Sequence, residues 1–337
     1  MMETKRILFT SPCVAELVDF EVPAPKAGEV TVELAVSTIS SGTERANLIG
    51  DPNCGGNSAA GVKFPRSSGY SSAGTVVAVG EGVTDFKEGD RVALYWSKHS
   101  KYQNISQENL IPIDEIPFEE AALWHISTFP LAAIRKCRLE IGESAIVMGV
   151  GVLGMMAIKL LRAAGAAPII AVDPTPAKRE YALTIGADYA LDPFAEGFAE
   201  TVKKITKGGA KVAIEVTGNG PALDMVLDCM ARFGRVALLG CTRDKNFTID
   251  YYRKVHYPGI TMVGAHTHAR PEHESAPGYW TTRDDLLAVK RLYENGRICF
   301  ADMVEETHAP EECGAVYTRL ANEKSFPLVQ FDWRELK

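Results

Sequence analysis

A change of grammar near residue 120 predicts an α/β chain of two domains, a β-rich one followed by a doubly wound parallel sheet. Three observations carry the prediction. The first 120 residues read as short β-branched runs separated by turn residues. After them, continuous apolar runs of strand length alternate with helical stretches. The first of those runs feeds directly into the glycine pattern GVGVLG at 149–154. A chain of 337 residues has room for two ordinary domains.

In the first part, EVTVELAVS (29–37), GTVVAVG (74–80) and RVALYW (91–96) predict strands, and GEGVTDFKEGDRV (80–92) carries two turn signals. Together they predict a compact domain of the partly open barrel kind. TISSGTERANLIG (38–50) follows a strand pattern, precedes nothing strongly helical and reads as a loop at the lip of that domain. In the second part SAIVMG (144–149) is a buried strand. GMMAIKLLRAAG (154–165) is a helix, apolar on nearly every face except at Lys159 and Arg162, with Gly165 as its stop. Strand and helix then alternate through PIIAVD (168–173), AKREYALTIG (177–186), ADYALD (187–192), GFAETVKKIT (197–206) and KVAIEVTG (211–218). The helix PALDMVLDCMARFG (221–234), the strands RVALLG (235–240) and GITMVGA (259–265), and the helix RDDLLAVKRLYENG (283–296) complete the series. Right-handed crossovers between such strands produce the doubly wound arrangement. Residues 298–337 return to short, mixed segments.

Composition excludes some partners. Apolar residues at 46% and charged residues at 23% are ordinary for a soluble globular protein. A net charge of −7 argues against broad nucleic-acid or anionic-membrane binding, both of which need concentrated positive charge. The N-terminal stretch shows neither a signal peptide nor a membrane span, so the expected compartment is the cytoplasm. The 7 cysteines (13, 54, 137, 229, 241, 299, 313) are scattered without a CxxC pair. That pattern predicts reduced thiols, mostly buried as small apolar residues, rather than a disulfide frame or a cysteine-built zinc site.

GVGVLG follows a strand and opens a helix, and Asp173 ends the next strand, which is the context a dinucleotide fingerprint requires. Gly149 permits the tight turn, Gly151 lets the backbone approach a pyrophosphate, and Gly154 lets helix and strand pack closely. The helix start at Val152 and Leu153 offers free N–H groups and a partial positive charge to phosphates. A carboxylate at 173 suits the ribose hydroxyls of NAD. It would repel the 2′-phosphate of NADP by roughly 1–4 kcal/mol per unit charge at about 4 Å. Lys178 and Arg179 follow closely enough to soften that repulsion, so NAD is favoured and use of NADP stays open.

The order of parts, with GYSSAGTVVAVGEGVTDFKEGDRV, GVGVLGMMAIKLLRAAGA, EVTGNGPAL and GRVALLG in their places, resembles the medium-chain dehydrogenase/reductase superfamily over essentially the whole chain. The resemblance implies a GroES-like β-rich catalytic domain, residues 1–120 with 298–337, around a Rossmann NAD-binding domain, residues 121–297. It adds Thr217 in EVTGNGPAL to the cofactor-binding set. It also implies a small-molecule substrate and a homodimer or homotetramer formed through the 259–265 strand. Within the superfamily, SGTER is similar to the branch that holds bacteriochlorophyllide a dehydrogenase-like proteins.

Zinc-bearing members of the superfamily carry Cys-Gly-Ser-Asp where this chain has SGTE, and Gly-His-Glu where it has GYSS. Ser41, Tyr70 and Ser71 thus stand where thiolate, imidazole and carboxylate ligands are expected, and YWSKHSKYQNIS lacks the four cysteines of a structural zinc. Hydroxyls are poor zinc ligands, so the resemblance implies an active-site edge rebuilt without metal. Chemistry without zinc needs a base near neutral pH and aimed donors. His125 suits the base. Thr43 matches the hydroxyl that touches substrate oxygen, Tyr70 can donate to a carbonyl or act as acid, and Ser41 and Glu44 can support them. A packed, hydrogen-bonded His125 beside Trp124 is the plain structural alternative. His266, His268 and His273 in VGAHTHARPEHESAPGYW fit no standard zinc framework and are better suited to lining a cleft. The leading expectation is NAD-dependent interconversion of a secondary alcohol and a ketone on a polyol or sugar derivative. Alternatives are NAD(P)H-dependent reduction of an activated C=C bond, epimerisation or elimination through tightly held NAD, and a nucleotide-sensing or structural protein.

Overall fold

The computed structural model describes residues 2–51, 63–242, 246–323 and 325–336; Cys54 lies outside the described residues. The chain divides into two compact units, residues 1–126 with 299–337, and residues 127–298.

The second unit is a six-stranded parallel sheet whose spatial order, numbering the unit's own strands along the chain, is 3-2-1-4-5-6. Its neighbouring inner strands Ala145–Met148 and Ile169–Val172 are buried at every residue. That is why they read as unbroken apolar runs rather than alternating ones: helices cover both faces of a parallel sheet. Each such fully buried Ile, Val or Met contributes about 1.5–3 kcal/mol. The chain reverses direction across the sheet between Ala145–Met148 and its neighbour Ala210–Glu215, and ligands of this architecture sit outside the carboxyl ends of the strands at such a switch. One predicted boundary needs correction. The helix Gly220–Asp228 ends at Cys229, and Met230–Leu238 is strand, so MARFG belongs to the sheet. Met230 pairs with Ala210 before the register shifts at a bulge, which lets strand follow helix without a loop.

The first unit carries a seven-stranded sheet, mostly antiparallel, and a smaller three-stranded one. Its centre is Glu29–Thr38, which pairs with Ser71–Val79, with Tyr102–Ser106 and with Val329–Asp332 from the far end of the chain. Two expectations fail here. The supposed loop contains a helix, Ser41–Leu48, that buries Glu44, Ala46 and Leu48. Its first turn is held by the Glu44 carboxylate, which accepts from the Ser40 N–H at 2.8 Å. The tail, read as short segments, contains the helix Cys313–Asn322, which buries Cys313, Val316, Tyr317 and Leu320 at helical spacing. Among the described cysteines, Cys137, Cys229 and Cys313 are buried thiols, whereas Cys13, Cys241 and Cys299 are exposed, against the expectation of burial. Among the described residues no helix is long and apolar enough to cross a membrane.

Candidate active site

In the first unit three antiparallel strands end at the same edge. Ser37 lies opposite Ser72, and Ser71 opposite Tyr95. Continuing those registers one or two residues past the paired ends sets Ile39–Ser40, Tyr70 and Trp96 abreast. The Tyr70 hydroxyl donates to Ser40 Oγ in a short hydrogen bond. Trp96 is held at φ +61°, a conformation that bulky residues rarely accept, and it is 39% exposed.

His125 enters from the first turn of Trp124–Lys136 and is 1% exposed. Its Nδ1 lies 2.7 Å from the carbonyl oxygen of Tyr70. A carbonyl can only accept, so Nδ1 carries the hydrogen and Nε2 is the basic nitrogen of the neutral ring. Trp96 meets the imidazole edge-on at 4.6 Å between ring centroids; Tyr70 and Tyr95 lie at 5.5 and 5.7 Å. One turn earlier, Glu120 accepts from the Trp124 indole at 3.2 Å and from the N–H groups of Phe300 and Ala301, both at 2.7 Å. Burial pushes the Glu120 carboxyl up, against the pull of those donors. The structure therefore brings Tyr70 and His125 together and adds Ser40 and Trp96, which the sequence reading had not singled out. Ser41 and Thr43 sit in the first turn of Ser41–Leu48, Ser41 half-buried and Thr43 exposed. The tyrosine's hydroxyl partner is Ser40, not Ser41. The Ser71 hydroxyl donates to the Ala122 carbonyl at 2.7 Å.

In the second unit the glycine turn shows what each glycine does. Gly149 has φ +103°, and a Cβ there would stand 2.9 Å from the Thr217 methyl. At Gly154 a Cβ would meet the Gly149 oxygen at 2.0 Å, whereas at Gly151 it would meet nothing within 4 Å. The turn is crowded on the protein side and open on the other, as a backbone that receives a ligand must be. Val152 and Leu153 open the helix Val152–Ala163 behind Gly151. Asp173 is 6% exposed, and both its oxygens accept backbone N–H groups, from Val150 and from Thr175, at 2.9 Å each. It thus ties the strand end to the glycine turn, a task the ribose reading had not included. Arg179 does not face outward. Its guanidinium holds the carbonyls of Asp173 and Pro174 and pairs with Asp192 at 3.3 Å, while Lys178 is half-buried in the first turn of Pro176–Thr184. The Thr217 hydroxyl and N–H both donate to Glu215, which also accepts from Gly218 at 3.2 Å, so Thr217 forms the floor of the turn. Burial pushes the Glu215 carboxyl up while these donors pull it down.

The histidine-rich loop has a different anchor. His266 and His268 lie 5.4 Å apart between ring centroids, whereas the His273 side chain is 94% exposed beside Glu272. Among the described residues no three His, Cys, Asp or Glu side chains gather as a metal site. Lys136 holds the carbonyls of Gly264 and Ala269. Arg270, with a side chain 6% exposed, reaches the Thr128 carbonyl at 2.9 Å and Asp285 at 3.5 Å.

Residues 26–117 match the family described as alcohol dehydrogenase GroES-like domain, and residues 152–278 the family described as zinc-binding dehydrogenase. The chain is 30% identical over 290 residues to an L-threonine 3-dehydrogenase of Thermococcus kodakarensis, covering 77% of this chain and 81% of the relative. It is 26% identical over 324 residues to a D-guloside 3-dehydrogenase of Escherichia coli, covering 89% and 91%. Among solved structures, the galactitol-1-phosphate dehydrogenase of Escherichia coli superposes with a TM-score of 0.84 at 18% identity, covering 97% of this chain and 99% of that one.

Proposed function

Because this chain belongs to the zinc-type medium-chain dehydrogenase/reductase superfamily and is an oxidoreductase acting on a small molecule, we propose that it interconverts a secondary alcohol and a ketone on a polyol or sugar derivative, with NAD and without zinc. The observation that carries the reading is the constellation of Tyr70, at a place where a metal ligand is expected, with its hydrogen-bond partner Ser40 and with His125 beside it. Zinc does not fit this donor set. The Ser71 hydroxyl is committed to a backbone carbonyl, the Tyr70 hydroxyl to Ser40, and neither is a competitive ligand beside thiolate or imidazole.

NAD fits the second unit through the open face at Gly151, the helix start at Val152–Leu153 and the carboxylate of Asp173, and it supplies a hydride acceptor when bound. The proton is the concern of the first unit. His125 Nε2 is the base that receives it from the substrate hydroxyl, and Tyr70 turns its one hydrogen from Ser40 Oγ to the substrate oxygen in the ketone state, with Thr43 as a further donor from the helix turn. Trp96 and Tyr70 form an aromatic wall suited to the C–H face of a sugar ring, and a relative acts on a guloside. Residues 1–126 with 299–337 form the catalytic domain, which takes in His125, and 127–298 the nucleotide-binding domain. Two copies pair in the cytoplasm through the edge strand Thr261–Gly264.

The test is metal content on protein purified without added zinc or a polyhistidine tag, followed by a panel of sugars and polyols with NAD. Below about a tenth of an equivalent of zinc per chain, with turnover on the panel, is the expected result. A full equivalent of zinc, or reduction of enones with NADPH and of nothing on the panel, refutes the proposal.

A further inference from the structure

We infer that a buried pair, His99 and Glu44, positions the Tyr70–Ser40 hydrogen bond from beneath. This rests on the role proposed above for Tyr70. Glu44 is 2% exposed and His99 is 0% exposed. Glu44 accepts from the Ser40 N–H at 2.8 Å and from the Tyr317 hydroxyl, and its Oε2 lies 3.1 Å from His99 Nε2. On the other side of the imidazole, Nδ1 lies 2.7 Å from Ser37 Oγ, which accepts from the Trp333 indole at 2.8 Å.

The proton directions follow from the donors. An indole only donates, so Ser37 receives from Trp333 and its own hydrogen is available to His99 Nδ1. Nε2 then carries the ring hydrogen and aims it at Glu44. The carboxylate thus collects three donors, from Ser40, His99 and Tyr317, which is what a buried anion requires. Burial and the Glu44 charge hold the Tyr317 phenol well above its ordinary range, so it stays a donor.

The same histidine also seats Tyr70. The His99 N–H donates to the Ser68 carbonyl at 3.0 Å. Gly69, at φ +86°, passes so close that a Cβ there would stand 2.8 Å from the imidazole. One end of the Tyr70–Ser40 bond therefore leans on His99 through Gly69, and the other through Glu44. A core whose only task was packing would be as stable with apolar residues here, since a buried carboxylate held by hydrogen bonds loses in desolvation much of what it gains. What the pair adds is a common seat for two hydroxyls carried just beyond the ends of two different strands.

The test needs no substrate, so its outcome is independent of the proposed activity. The full-length chain is compared with Tyr317→Phe, Glu44→Gln and His99→Gln, each also made with Tyr70→Phe. Two quantities are read: amide exchange at Ser40 relative to the amides of Glu29–Thr38, and the Tyr70 phenol titration, isolated by ultraviolet difference from the Tyr70→Phe partner. Tyr317→Phe leaves every charge in place, and it is expected to speed Ser40 exchange about tenfold and to move the Tyr70 titration by about half a pH unit or more. Glu44→Gln is expected to do both more strongly. Folded variants with wild-type relative exchange at Ser40 and an unmoved titration overturn the inference. If the polar core variants fail to fold, Tyr317→Phe, which removes one hydroxyl, decides alone. A Tyr70→Phe protein that turns over the sugar panel normally would sink the proposed function and leave both readouts valid.

Discussion

Gly151 and Gly154 lie three residues apart in one turn, and a methyl group added at each should have opposite consequences. At Gly154 the new carbon would stand 2.0 Å from the Gly149 oxygen, far inside contact distance, and the obstacle is backbone that cannot swing aside. Helix and strand must separate, at a typical overpacking cost of about 1–3 kcal/mol. For a unit of this size that lowers Tm by roughly 2–12 °C. At Gly151 the backbone is extended, φ −88° and ψ −171°, which alanine adopts freely, and the added carbon meets no protein atom within 4 Å. Gly151→Ala should therefore leave apo stability within about 0.5 kcal/mol of wild type. If the open side receives a pyrophosphate, however, the methyl holds it off the helix N-terminus, and NAD affinity should fall at least about tenfold, or about 1.4 kcal/mol. Thermal unfolding of the apo proteins and calorimetric titration with NADH read the two effects separately. Wild-type NADH affinity in Gly151→Ala would refute the turn as the phosphate site. A destabilised apo Gly151→Ala would refute the claim that the space is open.

Other expectations concern the first unit. His125→Ala should lower kcat on an active polyol or sugar by about 10²–10⁴-fold with NADH affinity unchanged, as loss of a general base does; equal losses in both would make His125 a packing residue. Gly69→Ala forces an L-residue to φ +86° against the His99 ring and should cost about 1–3 kcal/mol, read as a lower urea midpoint. Arg319 and His308 hold the Glu306 carboxyl down to about 2 in the folded chain. Because the folded value lies below the unfolded one, its contribution is present above about pH 4.5 and fades as the pH falls towards about 2. Glu306→Gln should flatten the pH dependence of the urea midpoint within that window and lower the midpoint itself near pH 7, where the lost contribution is fully present.

Whatever depends on local periodicity and turn chemistry was legible in the chain itself. The unbroken apolar runs at 145–148 and 169–172, and a glycine turn between a strand and a helix, were enough for a covered parallel sheet and its nucleotide turn. Misreadings occurred where local signals conflict with tertiary ones. SGTERANL looks like a turn because serine, glycine and threonine favour turns, yet burial of Glu44 and Leu48 on one face makes it a helix. MARFG has the composition of a helix end, yet pairing of Met230 with Ala210 makes it strand. The composition of the site lies deeper still. Nothing local singles out Ser40 over Ser41, or marks His99 among the seven histidines. Ser40 meets Tyr70 across a gap of 30 positions because two strand registers end abreast, and Tyr317 reaches Glu44 across 273 because the chain returns to its first unit. The sequence by itself determined the residue types and the two repeating patterns that select a fold. Which hydroxyl faces which ring was decided only by tertiary structure, because register and chain return set those distances and neither leaves a trace in neighbouring residues.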